Sequence, residues 1–169
     1  GVNIPAFICG GGQESGKRSG TENVPAIAGF WLAAELSEHG RRESSASMAQ
    51  MRQRLISQLT ASLDDIVINS PETAGENAGE CCSSLLNISF LGTRGEVLLH
   101  TLEQDGIYVS TGSACSSNKK GQSHVLKAMG LKDKEIEGTL RFSFGRMNSI
   151  EEIDIAADKV AAAVKRFRR

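Results

Sequence analysis

The spacing of apolar and polar residues divides this chain into helices and strands before any chemistry is considered. Val24, Ile27, Ala28, Trp31 and Leu32 recur at intervals of three and four. That spacing predicts an amphipathic helix packed on a core. Ser19, Thr21 or Asn23 could cap it, Pro25 is tolerated in its first turn, and Gly40 is a natural stop. A second helix is expected over 43–63, where Met48, Met51, Leu55 and Leu59 repeat at the same intervals. Its methionines read as core filling. Residues 66–68 form a short apolar run suited to a strand, and 69–83 read as a polar loop. Over 85–91, Leu86, Ile88 and Phe90 alternate with Asn87 and Ser89, the period of a half-buried strand. Thr93 is placed to cap a helix over about 95–104, which Gly106 ends, and 107–109 reads as the next strand. A short helix over 124–129 stops at Gly130. A strand over 139–144 alternates Leu140, Phe142 and Phe144 with Arg141 and Ser143. Ser149-Ile150-Glu151-Glu152 is a capping box. It opens a final helix with Ile150, Ile153, Ala157, Val160, Val164 and Phe167 on one stripe.

From residue 43 the order is thus α-β-β-α-β-α-β-α. Short strands with mixed connections predict an α+β layer, in which a small, mostly antiparallel sheet is covered by helices. Residues 2–9 are apolar but interrupted by Pro5, which suggests an edge strand or the end of one. No internal repeat or low-complexity tract is evident.

Composition narrows the function classes. The net charge of -1 gives no argument for nucleic acid, and the basic residues at the C-terminus fit a solvated helix end. No apolar run approaches the length of a membrane span. The four cysteines, Cys9, Cys81, Cys82 and Cys115, do not have the spacing of a zinc site, and His39, His100 and His124 are scattered. Cys81 and Cys82 are adjacent, a poor geometry for a mutual disulfide, and no role emerges for them. Reduced thiols in the cytoplasm are the simplest reading. The sequence opens on Gly1 without a signal-peptide pattern, so it reads as a piece of something longer or a processed product.

Three places carry candidate chemistry. In Thr111-Gly112-Ser113-Ala114-Cys115-Ser116-Ser117, small residues surround one thiol and Lys119 and Lys120 follow. This reads as an exposed, mobile loop with a reactive cysteine, although a plain surface cysteine fits the local features equally. Residues 10–21 hold five glycines and contain G-x-x-x-x-G-K, but Arg18 stands where a nucleotide-binding loop needs a hydroxyl for magnesium. Its glycines, Arg18, Ser19, Thr21 and the following helix N-terminus instead suit a phosphate. A glycine-rich hairpin with a capped helix is the alternative. Arg141, on a strand and opposite in facing to Leu140 and Phe142, suits a carboxylate. Taken alone, it reads more simply as a surface arginine on the wet face. Thiol, phosphate and carboxylate together suggest a phosphorylated cofactor working on an amino acid.

Five stretches in order resemble the cysteine desulfurases of the NifS/IscS type. They are Gly10-Gly11-Gly12-Gln13-Glu14; Arg18-Ser19-Gly20-Thr21-Glu22-Asn23-Val24-Pro25; Ser113-Ala114-Cys115-Ser116; Ser123-His124-Val125-Leu126-Lys127-Ala128-Met129-Gly130; and Leu140-Arg141-Phe142-Ser143-Phe144-Gly145-Arg146. The resemblance covers nearly the whole chain. It implies the C-terminal portion of a pyridoxal 5'-phosphate enzyme of the aminotransferase class V family, with 1–40 the tail of the large domain of fold type I and 41–169 the small domain. It further implies release of L-alanine from L-cysteine, with the sulfur held as a persulfide on Cys115 and passed to iron–sulfur scaffold or tRNA-thiolation proteins. Arg141 matches the residue that holds the substrate carboxylate. Thr21 matches the one that reaches the cofactor phosphate of the partner subunit in a homodimer. The family's Schiff-base lysine, with a histidine beside it, lies upstream of the glycine-rich stretch, and nothing in this chain matches it. The fragment alone is therefore expected to be inactive. Selenocysteine lyases share much of the signature, and a non-catalytic dimerisation or acceptor-docking module is the alternative from another class.

Overall fold

In the computed structural model the described residues are 2–71, 81–111 and 123–168. They divide into two compact units, Gly1–Arg41 and Arg42–Arg169.

The first unit is a glycine-rich loop followed by a helix. Gly12, Gly16 and Gly20 have positive φ, which L side chains rarely adopt, so the chain can double back within a dozen residues. One turn of 3-10 helix, Glu14–Gly16, lies in the loop. The predicted edge strand near the N-terminus reduces to a single parallel bridge between Ile8 and Arg18. Helix α1, Val24–His39, starts at Asn23, whose side chain accepts a hydrogen bond from Ala26 N–H at 3.2 Å. Of the three candidate caps, Asn23 does the work, with Pro25 in the first turn and Gly40 as the stop. The expectation that α1 packs an amphipathic face on a core is not met: none of its residues is buried. Phe30 and Leu36 are apolar as well as the predicted stripe, so the helix is apolar nearly all round, the composition of a helix enclosed on several sides rather than packed by one face.

The second unit holds the core. Helix α2 spans Arg41–Ser62 and buries Met51, Arg52, Leu55 and Leu59. Strands β1, Ile66–Ile68, β2, Leu85–Phe90, and β3, Thr139–Ser143, form a sheet in that order, antiparallel throughout. In the register Leu86 faces Phe142 and Ile88 faces Leu140. Their apolar side chains make one buried face with Phe90, as the period-two pattern predicts. Helix α3, Gly95–Gln104, and helix α6, Ile150–Phe167, pack on each other, and α3 contacts β3. Leu98 and Leu102 of α3 and Ile153, Ala157, Val160 and Val164 of α6 complete the core. The α+β layer is therefore as expected: a small antiparallel sheet covered by helices.

The structure differs from the expectations at three places. Thr93 does not cap α3; its hydroxyl donates instead to the Phe90 carbonyl at 2.7 Å, and Arg94 occupies the cap position without a side-chain bond. Residues 107–109 are not a strand, because the edge of β3 is met at one point only, the bridge between Ser110 and Arg141. Two short helices, α4, His124–Ala128, and α5, Asp133–Glu137, lead to β3, and α5 has no counterpart among the expected elements. The close approach of β2 and the turn before β3 requires Gly138. A Cβ there would lie 2.2 Å from the Phe90 carbonyl oxygen.

Candidate functional site

The glycine-rich loop is held by its own side chains. Ser19 is buried and accepts a hydrogen bond from Gly12 N–H at 3.3 Å, while the Gln13 side-chain oxygen accepts from Gly20 N–H at 3.1 Å. Arg18 turns back on the loop and donates to the carbonyls of Gly20 and Thr21 at 3.1 and 3.3 Å. Of the residues expected to receive an anion, Ser19 and Arg18 are thus engaged in shaping the loop. Thr21 is exposed, and its hydroxyl has no protein partner among the described residues. It lies two residues before Asn23, the cap of α1. The arrangement fits one edge of a phosphate: a hydroxyl donor beside a helix N-terminus, on a loop that glycines keep narrow.

Arg141 lies on the exposed face of β3, opposite Asn87. Its backbone exchanges two hydrogen bonds with Ser110, at 2.7 and 3.0 Å, and its guanidinium donates to the Ser110 hydroxyl at 3.3 Å. These bonds fix the base of the side chain and leave most of the guanidinium fork facing solvent. Ser110 was not singled out from sequence. The strand expected over 107–109 ends beside it, but a lone serine after an apolar run gives no further signal.

Cys115 lies outside the described residues, which stop at Thr111 and resume at Ser123. Both flanks are anchored. Thr111 sits against the start of α3, where a Cβ on Gly95 would be 3.3 Å from its methyl group. Ser123 caps α4, its hydroxyl accepting from Leu126 N–H at 3.4 Å. The described chain before Cys115 thus ends at Thr111, one residue after Ser110, the partner of Arg141. His124 begins α4 and is exposed, and His100 lies on the exposed face of α3 beside Glu103.

A cavity of about 390 Å³ opens elsewhere in this unit, between Tyr108 and Phe142–Phe144, with Leu55 and Ile153 at its back. Arg141 does not line it, and its acidic groups are already engaged. Asp105 pairs with Lys159 at 3.0 Å, and Glu152 closes the α6 capping box. No cationic side chain lines it to receive a carboxylate.

Residues 11–155 match the sequence profile of the aminotransferase class-V family. The chain belongs to that family. Among curated proteins it is 38% identical over 168 residues to cysteine desulfurase IscS of Clostridium botulinum, covering 99% of this chain and 41% of the relative. The figure is also 38% for cysteine desulfurase IscS 1 of Archaeoglobus fulgidus, covering 42% of that protein. Among solved structures, a NifS-like protein superposes with a TM-score of 0.79 at 34% identity, over 99% of this chain and 40% of its own. The NifS-like protein from Rickettsia africae gives 0.76 at 27%, over 97% and 41%. The chain thus spans about two-fifths of the length of the curated relatives it matches. The fold is that of NifS-like enzymes, and the family as a whole works with pyridoxal phosphate. Among the described residues, no helix is long and apolar enough to cross a membrane.

Proposed function

We propose that this chain is the C-terminal portion of a cysteine desulfurase, with 1–40 the tail of the large domain and 41–169 the small domain that carries the sulfur-accepting thiol. The observation that carries the reading is the junction at Ser110. It ties Arg141 to Ser110, five positions before Cys115 in the sequence. An amino-acid carboxylate held by the Arg141 fork would have its side chain within the range of a thiol only a few residues along the same connection. In this reading Arg141 orients L-cysteine. The Cys115 thiolate would attack the substrate sulfur; the carbon–sulfur bond breaks with its electron pair left on the substrate carbon, which takes up a proton so that L-alanine departs, and the sulfur stays on Cys115 as a persulfide. Thr21 donates its hydroxyl to a cofactor phosphate held with the partner subunit of a homodimer. Bound pyridoxal phosphate supplies the electron sink that lets the substrate sulfur leave.

The lysine that would bind this cofactor covalently has no counterpart in Lys17, Lys119 or Lys120. The 169 residues alone are therefore expected not to turn over cysteine. The onward acceptors in this reading are iron–sulfur scaffold or tRNA-thiolation proteins in the cytoplasm. Mass spectrometry of the full-length protein after exposure to L-cysteine tests the assignment. A gain of about 32 Da on Cys115, absent in Cys115→Ser, is the expected result of persulfide formation. Alanine release with no sulfur on Cys115 would overturn it. Arg141→Ala is expected to raise KM for cysteine by about a hundredfold, since charge-assisted bonds to a carboxylate are worth ~2–3 kcal/mol.

A further inference from the structure

The cavity between Tyr108 and Phe142–Phe144 is the gap in an interrupted ladder. Ser110 and Arg141 exchange both backbone hydrogen bonds. In an antiparallel ladder the next pair of this kind lies two residues further along each chain, at Tyr108 and Ser143. Among the described residues no hydrogen bond joins that pair. Ile107 N–H donates instead to the Leu102 carbonyl at 2.9 Å, which holds this stretch against the end of α3 and away from β3. The backbone of Ser143 is aimed at the gap. Phe144 N–H donates to the Ser84 carbonyl at 2.8 Å, so the N–H and carbonyl of Ser143, one residue earlier, point away from β2. Leu85, opposite Ser143 on β2, accordingly directs its own N–H to the Cys82 carbonyl at 3.4 Å. The rest of the lining is largely apolar. Leu55 and Ile153, both buried, form the floor, while Tyr108 and Ile155 are 80% and 59% exposed.

We propose that this gap receives an extended segment of the same protein from outside residues 1–169, which pairs with Ser143 along the open edge of β3 and covers the cavity. An extended chain offers N–H and carbonyl groups to a sheet edge and turns every second side chain to one face, so it satisfies the Ser143 backbone and the apolar floor together. The proposal rests on the reading of this chain as a C-terminal portion. The matched region makes up 41% and 42% of two curated relatives, so the larger part of such a protein lies outside these 169 residues. A segment of the same polypeptide is favoured over a separate partner because an edge left open above apolar side chains recruits foreign strands. The register sets the terms of entry. The segment accepts from Ser143 N–H and donates to the Ser143 carbonyl. Its side chains alternate between apolar residues over Leu55 and Ile153 and polar residues toward solvent. It stops at the Ser110–Arg141 bridge, where the edge of β3 is already taken.

The test uses the full-length protein with Tyr108 replaced by p-benzoylphenylalanine. Irradiation and fragment mass spectrometry locate the cross-link, and mixing isotope-labelled with unlabelled protein tells a link within one polypeptide from one between copies. The expected product joins position 108 to one segment outside 1–169 of the same polypeptide. The Ser143 amide in the unsubstituted protein is expected to exchange at least about a hundredfold more slowly than in an unstructured peptide. Ser143→Pro, which removes the N–H facing the gap, lowers the cross-link yield severalfold, whereas Ser143→Ala, which keeps it, leaves the yield unchanged. A cross-link confined to 142–144, a link to another polypeptide or to a second copy, or unprotected exchange at Ser143 overturns the proposal. Neither readout needs L-cysteine or turnover, so failure here is separable from failure of the Cys115 assignment.

Discussion

Helices α1 and α6 are similar in length and both rich in apolar residues, but they end in opposite conditions. In α6 the stripe from Ile153 through Ala157 and Val160 to Val164 is buried against α3 and the sheet, and the charged residues Glu151, Asp158, Lys159 and Lys165 lie off it. In α1 no residue is buried; Phe30 is 78% and Trp31 64% exposed. A stripe flanked by polar residues marks one face for burial, as in α6, whereas a helix that is apolar nearly all round has the composition of one enclosed on several sides, and the described residues bury none of α1. The same contrast separates the two units. Residues 42–169 surround a continuous core, while in the first unit Val2, Phe7 and Ile8 are exposed along with the face of α1.

The strongest way to break this comparison is to truncate one large apolar side chain in each unit. Phe90→Ala, at a fully buried position of β2, is expected to cost about 3–5 kcal/mol in denaturant unfolding of the chain. Trp31→Ala, although the larger deletion, is expected to change stability by less than about 0.5 kcal/mol. Equal losses would show that α1 is buried as firmly as the sheet.

Glycine substitutions sharpen the contrast at a smaller scale. Gly138→Ala places a methyl group against the Phe90 carbonyl, which must move, and overpacking of this kind costs about 1–3 kcal/mol or more. Gly29→Ala in α1 meets nothing within 4 Å. It is expected to stabilise the helix by about 0.5–1 kcal/mol, read as a rise in helical signal at a fixed temperature.

The same division accounts for what the sequence made legible. Strands β2 and β3 and helices α2, α3 and α6 follow from periodicity because each buries a single face. The packing of α1 was misread because five residues at helical spacing look like a stripe even when their neighbours Phe30 and Leu36 are apolar too. Ser19 and Arg18 carried the right residue types for an anion site, but composition cannot distinguish a side chain that binds a ligand from one that closes its own loop. Thr93 has the residue type of a cap, yet the Phe90 carbonyl, three residues back, takes its hydroxyl first. Ser110 and Arg52 matter through tertiary neighbours, the edge of β3 and the Pro71 carbonyl. No local pattern encodes either.

Helix caps come next in expected effect. Ser149 and Glu152 satisfy each other's backbone at the start of α6, so Ser149→Ala is expected to cost about 1 kcal/mol of global stability. Asn23→Ala removes an equivalent bond from α1, where no core depends on it. Its loss should appear as local fraying, seen as faster amide exchange in the first turn, with the unfolding midpoint unchanged.

The smallest effect separates the two units by acid. Arg54 and Asp154 join α2 to α6 across the second unit at 2.8 Å, whereas Glu38 and Arg41, at 2.7 Å, are three residues apart in the first. Both acids titrate below their ordinary values, Asp154 chiefly through its hydrogen bond from Arg54 and Glu38 through that from Arg41. A lowered folded-state value means that the folded form holds its proton less tightly than the unfolded form. The contribution is therefore complete above the ordinary carboxylate range and is lost as pH falls through the folded value. Both pairs are solvent-exposed, so the change is slight in each. Only the Arg54–Asp154 pair links elements distant in sequence, so only Asp154→Asn should flatten the acid limb of the unfolding midpoint below about pH 4. Glu38→Gln should leave that limb unchanged, and an equal response from the two variants would place both units within one cooperative fold.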